Sequence, residues 1–371
     1  MSGILTFLIG AIAGGIVQLA LAILFEDSFR LYYRKIRAKA LFVTTLLRSG
    51  EMRSDNDFYN VGDFRVTCIV LEGTARESLL SENLSATLSD KPLVLPPDLD
   101  AVLQATTQRQ KQIAASRGHP TFFNGPMVAL EGWSRSRTAG TERDVLALRF
   151  ISTDYYTFLS TAMSLNESVD LESGPATIRD LYVSGRDYRK PNPVIATSFG
   201  INLAVITSDR FTMLARRGTA GLSNYSGRMA VPVGESVQPD FDRSGVSEIS
   251  LFDTAMRGAR EELNLDIVQS EIAFYSLAVD TTWYFYGLTG AIFCSKYSRD
   301  DVIAHRSVGA KDKWEHGDIA FVKFDPTSVA RYLRDMGGVF QLTPFSFVSL
   351  TQALMATYGE MSVMNAFKKI R

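Results

Sequence analysis

The chain has little of what builds most redox, metal and nucleic-acid centres. Of its 371 residues two are cysteines, Cys68 and Cys294, and three are histidines, His119, His305 and His316. Two thiols so far apart exclude a disulfide framework and a cysteine zinc site, and they fit a reducing compartment. So few histidines exclude most histidine-rich metal centres. An excess of one charge is missing too: 39 Lys and Arg stand against 40 Asp and Glu, a net charge of −1. That balance excludes a bulk electrostatic hold on duplex nucleic acid and leaves local basic patches open. With 46% hydrophobic and 21% charged residues the chain belongs among folded proteins, and its length suggests two compact units plus extras.

Charge is absent altogether from one long stretch. Ser2 to Phe25 runs for 24 residues without an ionisable side chain. As a helix rising about 1.5 Å per residue it would cover the ~30 Å core of a bilayer. No basic residue precedes it, as a cleaved signal peptide would require, whereas Arg30, Arg34, Lys35, Arg37 and Lys39 follow it. The expectation is a single transmembrane helix within 1–27, N-terminus outside and the bulk of the chain cytoplasmic, at a cell inner membrane. Gly10 and Gly14, four apart with Ala11 and Gly15 beside them, form a small-residue strip that favours helix pairing in lipid and hence a homo-oligomer.

Further along, 28–56 reads as a basic juxtamembrane helix and linker, and 57–190 as an α/β segment packed on the main body. Strands are expected at Arg65–Leu71, Val128–Leu130 and Leu146–Phe150, and helices at Pro92–Gln110 and Asp154–Leu165. In 191–326 the texture becomes strand, turn, strand, helix: Ile201–Ile206, Phe211–Leu214, Arg228–Val231, then a helix over Leu251–Leu265. Strands follow at Leu277–Leu288, Thr289–Ser295 and Ile319–Phe324. The tail 327–371 is helical, with Leu350, Leu354, Tyr358 and Met361 in spacing.

The helix carries Arg257-Gly258-Ala259-Arg260-Glu261-Glu262-Leu263-Asn264-Leu265, preceded by Pro232-Val233-Gly234-Glu235. This order resembles the Nudix family, whose members cleave nucleoside diphosphates linked to another moiety. The family's box is a Gly, five residues, Glu, seven residues, then Arg-Glu-apolar-any-Glu-Glu-any-Gly-apolar. Gly234 matches the opening Gly and Asp240 falls at the first Glu, but 16 residues separate Asp240 from Arg257, nine more than the pattern. Arg257, Glu261, Glu262 and Leu265 stand in register. Gly258 replaces the first helical Glu, and Asn264 replaces a Gly, a milder change because Asn also tolerates a left-handed helix end. Upstream, His119-Pro120-Thr121-Phe122-Phe123-Asn124-Gly125-Pro126, Leu146-Ala147-Leu148 and Thr153-Asp154-Tyr155-Tyr156 are similar to the UDP-glucose-cleaving subgroup, so the likeness covers about 118–326.

The resemblance implies an α+β fold with a Nudix-type mixed β-sheet between helices, here preceded by the transmembrane helix. It implies Mg²⁺ as cofactor, held by Glu261, Glu262 and Asp240, or Glu235 in place of Asp240. Positions 258, 261 and 262 share a helical face, and the metal, a hard cation wanting oxygen ligands, would activate water at the pyrophosphate. Gly258 removes one ligand, so hydrolysis by Glu261 and Glu262 is expected to be weak or lost. A membrane helix joined to such a domain is also similar in layout to the transmembrane-Nudix effectors of CBASS antiphage defence, which bind a cyclic nucleotide, self-associate and breach the inner membrane. The expected function is that of such an effector, with the lipid bilayer and a cyclic di- or trinucleotide as partners. Arg216, Arg217 and Arg228 would hold phosphates, and Trp314 would stack on a base. The alternative is a membrane-tethered, Mg²⁺-dependent hydrolase of UDP-sugars or related nucleoside diphosphates.

Overall fold

The computed structural model describes residues 58–368, apart from 121, 138–143, 172–173, 219–224 and 310–315. Nearly all of these belong to one compact unit, Asp55–Gly218 with Arg228–Arg371. Of a second unit, Met1–Ser54 with Thr219–Gly227, only Tyr225–Gly227 are described.

The described chain opens with a small hairpin, β1 (Tyr59–Val61) and β2 (Phe64–Val66), then β3 (Cys68–Gly73). The expected strand Arg65–Leu71 is therefore split at Thr67. Next come β4 (Leu84–Pro92) and α1 (Pro97–Arg117), the helix starting at Pro97 because proline suits a first turn and no earlier position. A long hairpin of β5 (Pro126–Arg137) and β6 (Asp144–Asp154) follows. Then come α2 (Tyr155–Ser160), a second hairpin of β7 (Ser168–Leu171) and β8 (Gly174–Thr177), and α3 (Ile178–Tyr182).

The main body begins with β9 (Phe199–Ile206), β10 (Phe211–Arg217), β11 (Met229–Ala230) and β12 (Val233–Ser236). A strap containing α4 (Pro239–Asp242) leads to α5 (Leu251–Leu263), the helix of the acidic motif. The remaining elements are β13 (Ile272–Asp280), β14 (Phe285–Phe293), α6 (Arg299–Gly309), β15 (His316–Lys323), α7 (Pro326–Asp335), α8 (Pro344–Tyr358) and α9 (Glu360–Lys368). The hairpin turn lies at Thr281–Tyr284, inside the run expected as one strand, and contains neither Gly nor Pro. Tyr284 takes the left-handed backbone there, φ +58°, held by its buried ring and by Asn192 N donating to its hydroxyl at 3.1 Å. The helical tail breaks at Gly359, φ +83°.

The principal sheet is mixed, in the order β11-β10-β9-β14-β13-β3, with β12 also on β9 and β15 also on β10. The β9–β10 hairpin pairs only at Ile206–Thr212 and then forks, so β12 enters beside β9 (Val233↔Leu203, Glu235↔Ile201). β9 and β14 run parallel. A smaller sheet, β4-β6-β5, is tied to the body by the strap: Leu88 N donates to Ser247 O at 2.7 Å, and Ile249 N to Ala86 O at 3.0 Å.

Side chains of a strand alternate between faces, and β9 shows what that does. Phe199, Ile201, Leu203 and Val205 join one core with Leu251, Ala255, Ala259 and Leu263 of α5. Ala204 and Ile206 join the opposite core with Phe347, Leu350 and Leu354 of α8. The sheet thus lies between the motif helix and the C-terminal helices, and each fully buried Leu contributes about 1.5–3 kcal/mol. Gln352 of α8 orients that helix: its Oε1 accepts from Ser276 Oγ at 3.0 Å and Thr289 Oγ1 at 2.8 Å, all three residues buried.

The membrane expectation is corrected. Ser2–Phe25 and the basic helix 28–49 lie outside the described residues. Among the described residues no helix is long and apolar enough to cross a membrane. The helix α1 has 21 residues, but Asp98, Asp100, Gln104, Arg109 and Lys111 interrupt any apolar run, and spanning takes about 20 mostly apolar residues. The helix α8 is apolar but has 15 residues and is buried inside the protein. Among the described residues the fold is α+β with several sheets, and none of their helices is the transmembrane helix that was expected. The membrane, transmembrane and inner-membrane assignments find no helix to carry them among the described residues and are not retained.

Candidate functional site

The motif helix is defined at both ends by its own sequence. Ser250 caps the start, its hydroxyl accepting from Asp253 N at 3.1 Å. Asn264 ends it in the left-handed conformation, φ +56°. There its Nδ2 donates to His305 O at 3.2 Å, tying the helix end to α6.

Arg257 organises the face turned towards β12. Its Nη1 lies 2.8 Å from Glu235 Oε1 and 3.3 Å from Glu261 Oε2. Its Nε and Nη2 donate to the two oxygens of Asp242 at 3.0 and 2.9 Å, and Nη2 also donates to Ser236 O at 2.8 Å. One guanidinium thus ties α5 to β12 and to the strap, with the bidentate geometry that makes Arg–carboxylate pairs strong. Burial opposes the charge of Arg257, but Asp242 and Glu235 outweigh it and raise its pKa. Burial likewise pushes the Glu235 carboxyl up to about 7 against the pull of Arg257, and the charges of Glu261 and Glu262 add to the rise.

Gly258 is where helix and strand approach. A side chain there would begin 3.0 Å from Glu235 Cβ and 3.1 Å from Val233 Cγ1. The glycine that weakens the helix in isolation is thus what allows this packing.

Glu262 is buried at 4% exposure, and its charge acts on Arg306 of α6. Burial pulls that guanidinium below its ordinary value, and Glu262 draws it back up. Glu261 keeps 27% of its side chain exposed.

The other expected site residues are dispersed. Asp240 is exposed, whereas Asp242, two residues on, is buried; residues two apart on a helical turn face opposite ways. Arg216 is half exposed and reaches Asp318 at 3.4 Å, a surface pair of small energetic weight. Arg217 lies on the side of β12 away from α5. Val233 and Glu235 face the helix, so Gly234 faces the reverse, and Nη1 of Arg217 lies 4.0 Å from where a side chain at 234 would begin. The carbonyl of Arg228 accepts from Arg217 N at 2.8 Å. Trp314 lies outside the described residues. Sequence reasoning missed Asp242 and Arg306. Asp242 carried a signal, a second acid in the strap, but nothing in the sequence says which acid turns inward.

Among the described residues no group of three or more acids, histidines or cysteines is placed to hold a metal ion. Of the magnesium ligands that the resemblance implies, Glu261 and Glu235 share the guanidinium of Arg257, Glu262 is buried and Asp240 is exposed on the strap.

No family model matches the chain, and no curated protein matches it. Among solved structures, the crystal structure of DR0079 from Deinococcus radiodurans is similar over 38% of this chain and 74% of its own, at 18% identity and a TM-score of 0.25. A superposition that loose carries no argument about fold or function, and the Nudix likeness rests on the sequence motif alone.

Proposed function

We propose that the chain is a nucleotide-binding protein whose Nudix-like helix recognises its ligand without hydrolysing it. The observation that carries this is the state of the motif acids. Glu235 and Glu261 are drawn onto Arg257 together with Asp242 of the strap, and a side chain at position 258 would begin a tight 3.0 Å from Glu235 Cβ. Hydrolysis of a pyrophosphate needs charge gathered on a metal, and every ~1.4 kcal/mol withheld from the transition state slows it tenfold. Binding makes no such demand. The resemblance to defence effectors depended on the membrane helix, so only the ligand-binding half of that expectation is retained, with a cyclic di- or trinucleotide as the first ligand class to try.

The test uses the purified full chain. It is titrated by calorimetry with a cyclic dinucleotide, a cyclic trinucleotide and UDP-glucose, each with Mg²⁺, and the mixtures are then chromatographed. Binding with the ligand recovered intact is expected. Turnover of UDP-glucose that disappears in Glu261→Ala would establish the hydrolase instead, and absence of binding to all three would remove the nucleotide reading.

A further inference from the structure

Phe241 and Asp242 are neighbours whose solvent preferences are exchanged. The Asp242 carboxylate is fully buried, while the Phe241 ring is 68% exposed. The buried charge is the informative departure from ordinary partition, and it fixes which way the neighbouring ring turns. Several bonds keep the turn from rotating to reverse it. Asp242 chelates Arg257, its Oδ2 also accepts from Gln238 N at 2.8 Å, and its carbonyl accepts from Ser250 N at 2.7 Å. Pro239 is buried at the start of the turn. The turn is therefore fixed, and the ring it carries lies beside Arg257, its centroid 5.9 Å from Cζ, with most of its surface open.

We infer that Phe241 is the stacking surface for the base of the bound nucleotide, an inference that rests on the nucleotide reading above. A ring carried on a fixed turn spares a flat partner the cost of ordering the backbone beneath it, and bases of any sequence stack on aromatic side chains. Charge decides which part of a nucleotide this corner receives. Arg257 is matched by three carboxylates, and exposed Asp240 sits on the same turn. A phosphate finds no net positive charge there, whereas an uncharged base does not need one.

The test titrates wild type, Phe241→Ala and Phe241→Trp with a cyclic dinucleotide, UDP-glucose and base-free ribose 5-phosphate, with melting temperature as the folding control. Phe241→Ala should weaken both nucleotides about tenfold, or ~1.4 kcal/mol, and leave ribose 5-phosphate and melting unchanged, while Phe241→Trp restores affinity. Nucleotide affinity indifferent to Phe241, or an equal loss for ribose 5-phosphate, overturns this inference alone. A wild type that binds neither nucleotide overturns it together with the reading on which it rests.

Discussion

Gly258 and Glu235 fill one space between them: a Cβ at 258 would stand 3.0 Å from the Cβ of Glu235, across the contact between α5 and β12. The glycine suits the buried acid, since a helix side chain at 258 would begin in tight contact with the strand side chain.

Gly258→Ala should therefore destabilise the protein despite the gain in helix propensity. Propensity favours Ala by about 1 kcal/mol, but overpacking costs about 1–3 kcal/mol, and the atoms it meets, Glu235 Cβ and Val233 Cγ1, stay close to the backbone of a paired strand. A net loss of about 1 kcal/mol is expected in urea denaturation. Gly258→Glu should lose more, and should gain no hydrolysis of UDP-sugars.

The pH dependence of stability should carry the mark of Glu235. Its carboxyl titrates near 7 in the folded protein against 4.5 ordinarily. Between those values the folded state holds a proton that the unfolded state has released, so this group's contribution falls as pH rises from about 4.5 to 7 and is flat above. The change is on the order of 3 kcal/mol. Glu235→Gln should abolish that part of the slope, as melting temperature across pH 4.5–8 would reveal. An unchanged profile in the variant would show that the proton sits elsewhere.

Asp240 and Asp242 should behave oppositely although they lie two residues apart. Asp242→Asn breaks a buried pair to Arg257 and should cost about 3–5 kcal/mol. Asp240→Asn alters an exposed side chain and should stay within about 0.5 kcal/mol. Equal effects in denaturant titration would refute the assignment of Asp242 as the inward acid.

Asn264→Ala should cost about 1–2 kcal/mol. It places a residue unsuited to φ +56° at the helix end and removes the bond to His305 O. Asn264→Gly, which suits the backbone but lacks the bond, should cost less, and the order of the two melting temperatures is the measurement.

Much of the main body was legible along the chain. The apolar run Ile201–Ile206 marked β9, and the stretch Leu251–Leu265 with its Arg257–Leu265 motif marked α5. The left-handed end at Asn264 was legible as well, since Asn is among the few residues that take it readily. The turn at Thr281–Tyr284 was hidden because its strained residue is stabilised by distant Asn192, and the fork of β9 from β10 was hidden because only pairing partners reveal it.

The acids show the same division. Their positions are properties of the sequence, and so is the shared face of Gly258, Glu261 and Glu262. Whether those acids gather a cation or surrender to an arginine depends on what the opposite strand and the strap bring within about 3 Å. The tertiary structure is what brought Glu235 and Asp242 to Arg257, beside Glu261. Local backbone preference reaches only a few residues along the chain, whereas electrostatic partnership is settled by distance in space, which folding alone provides.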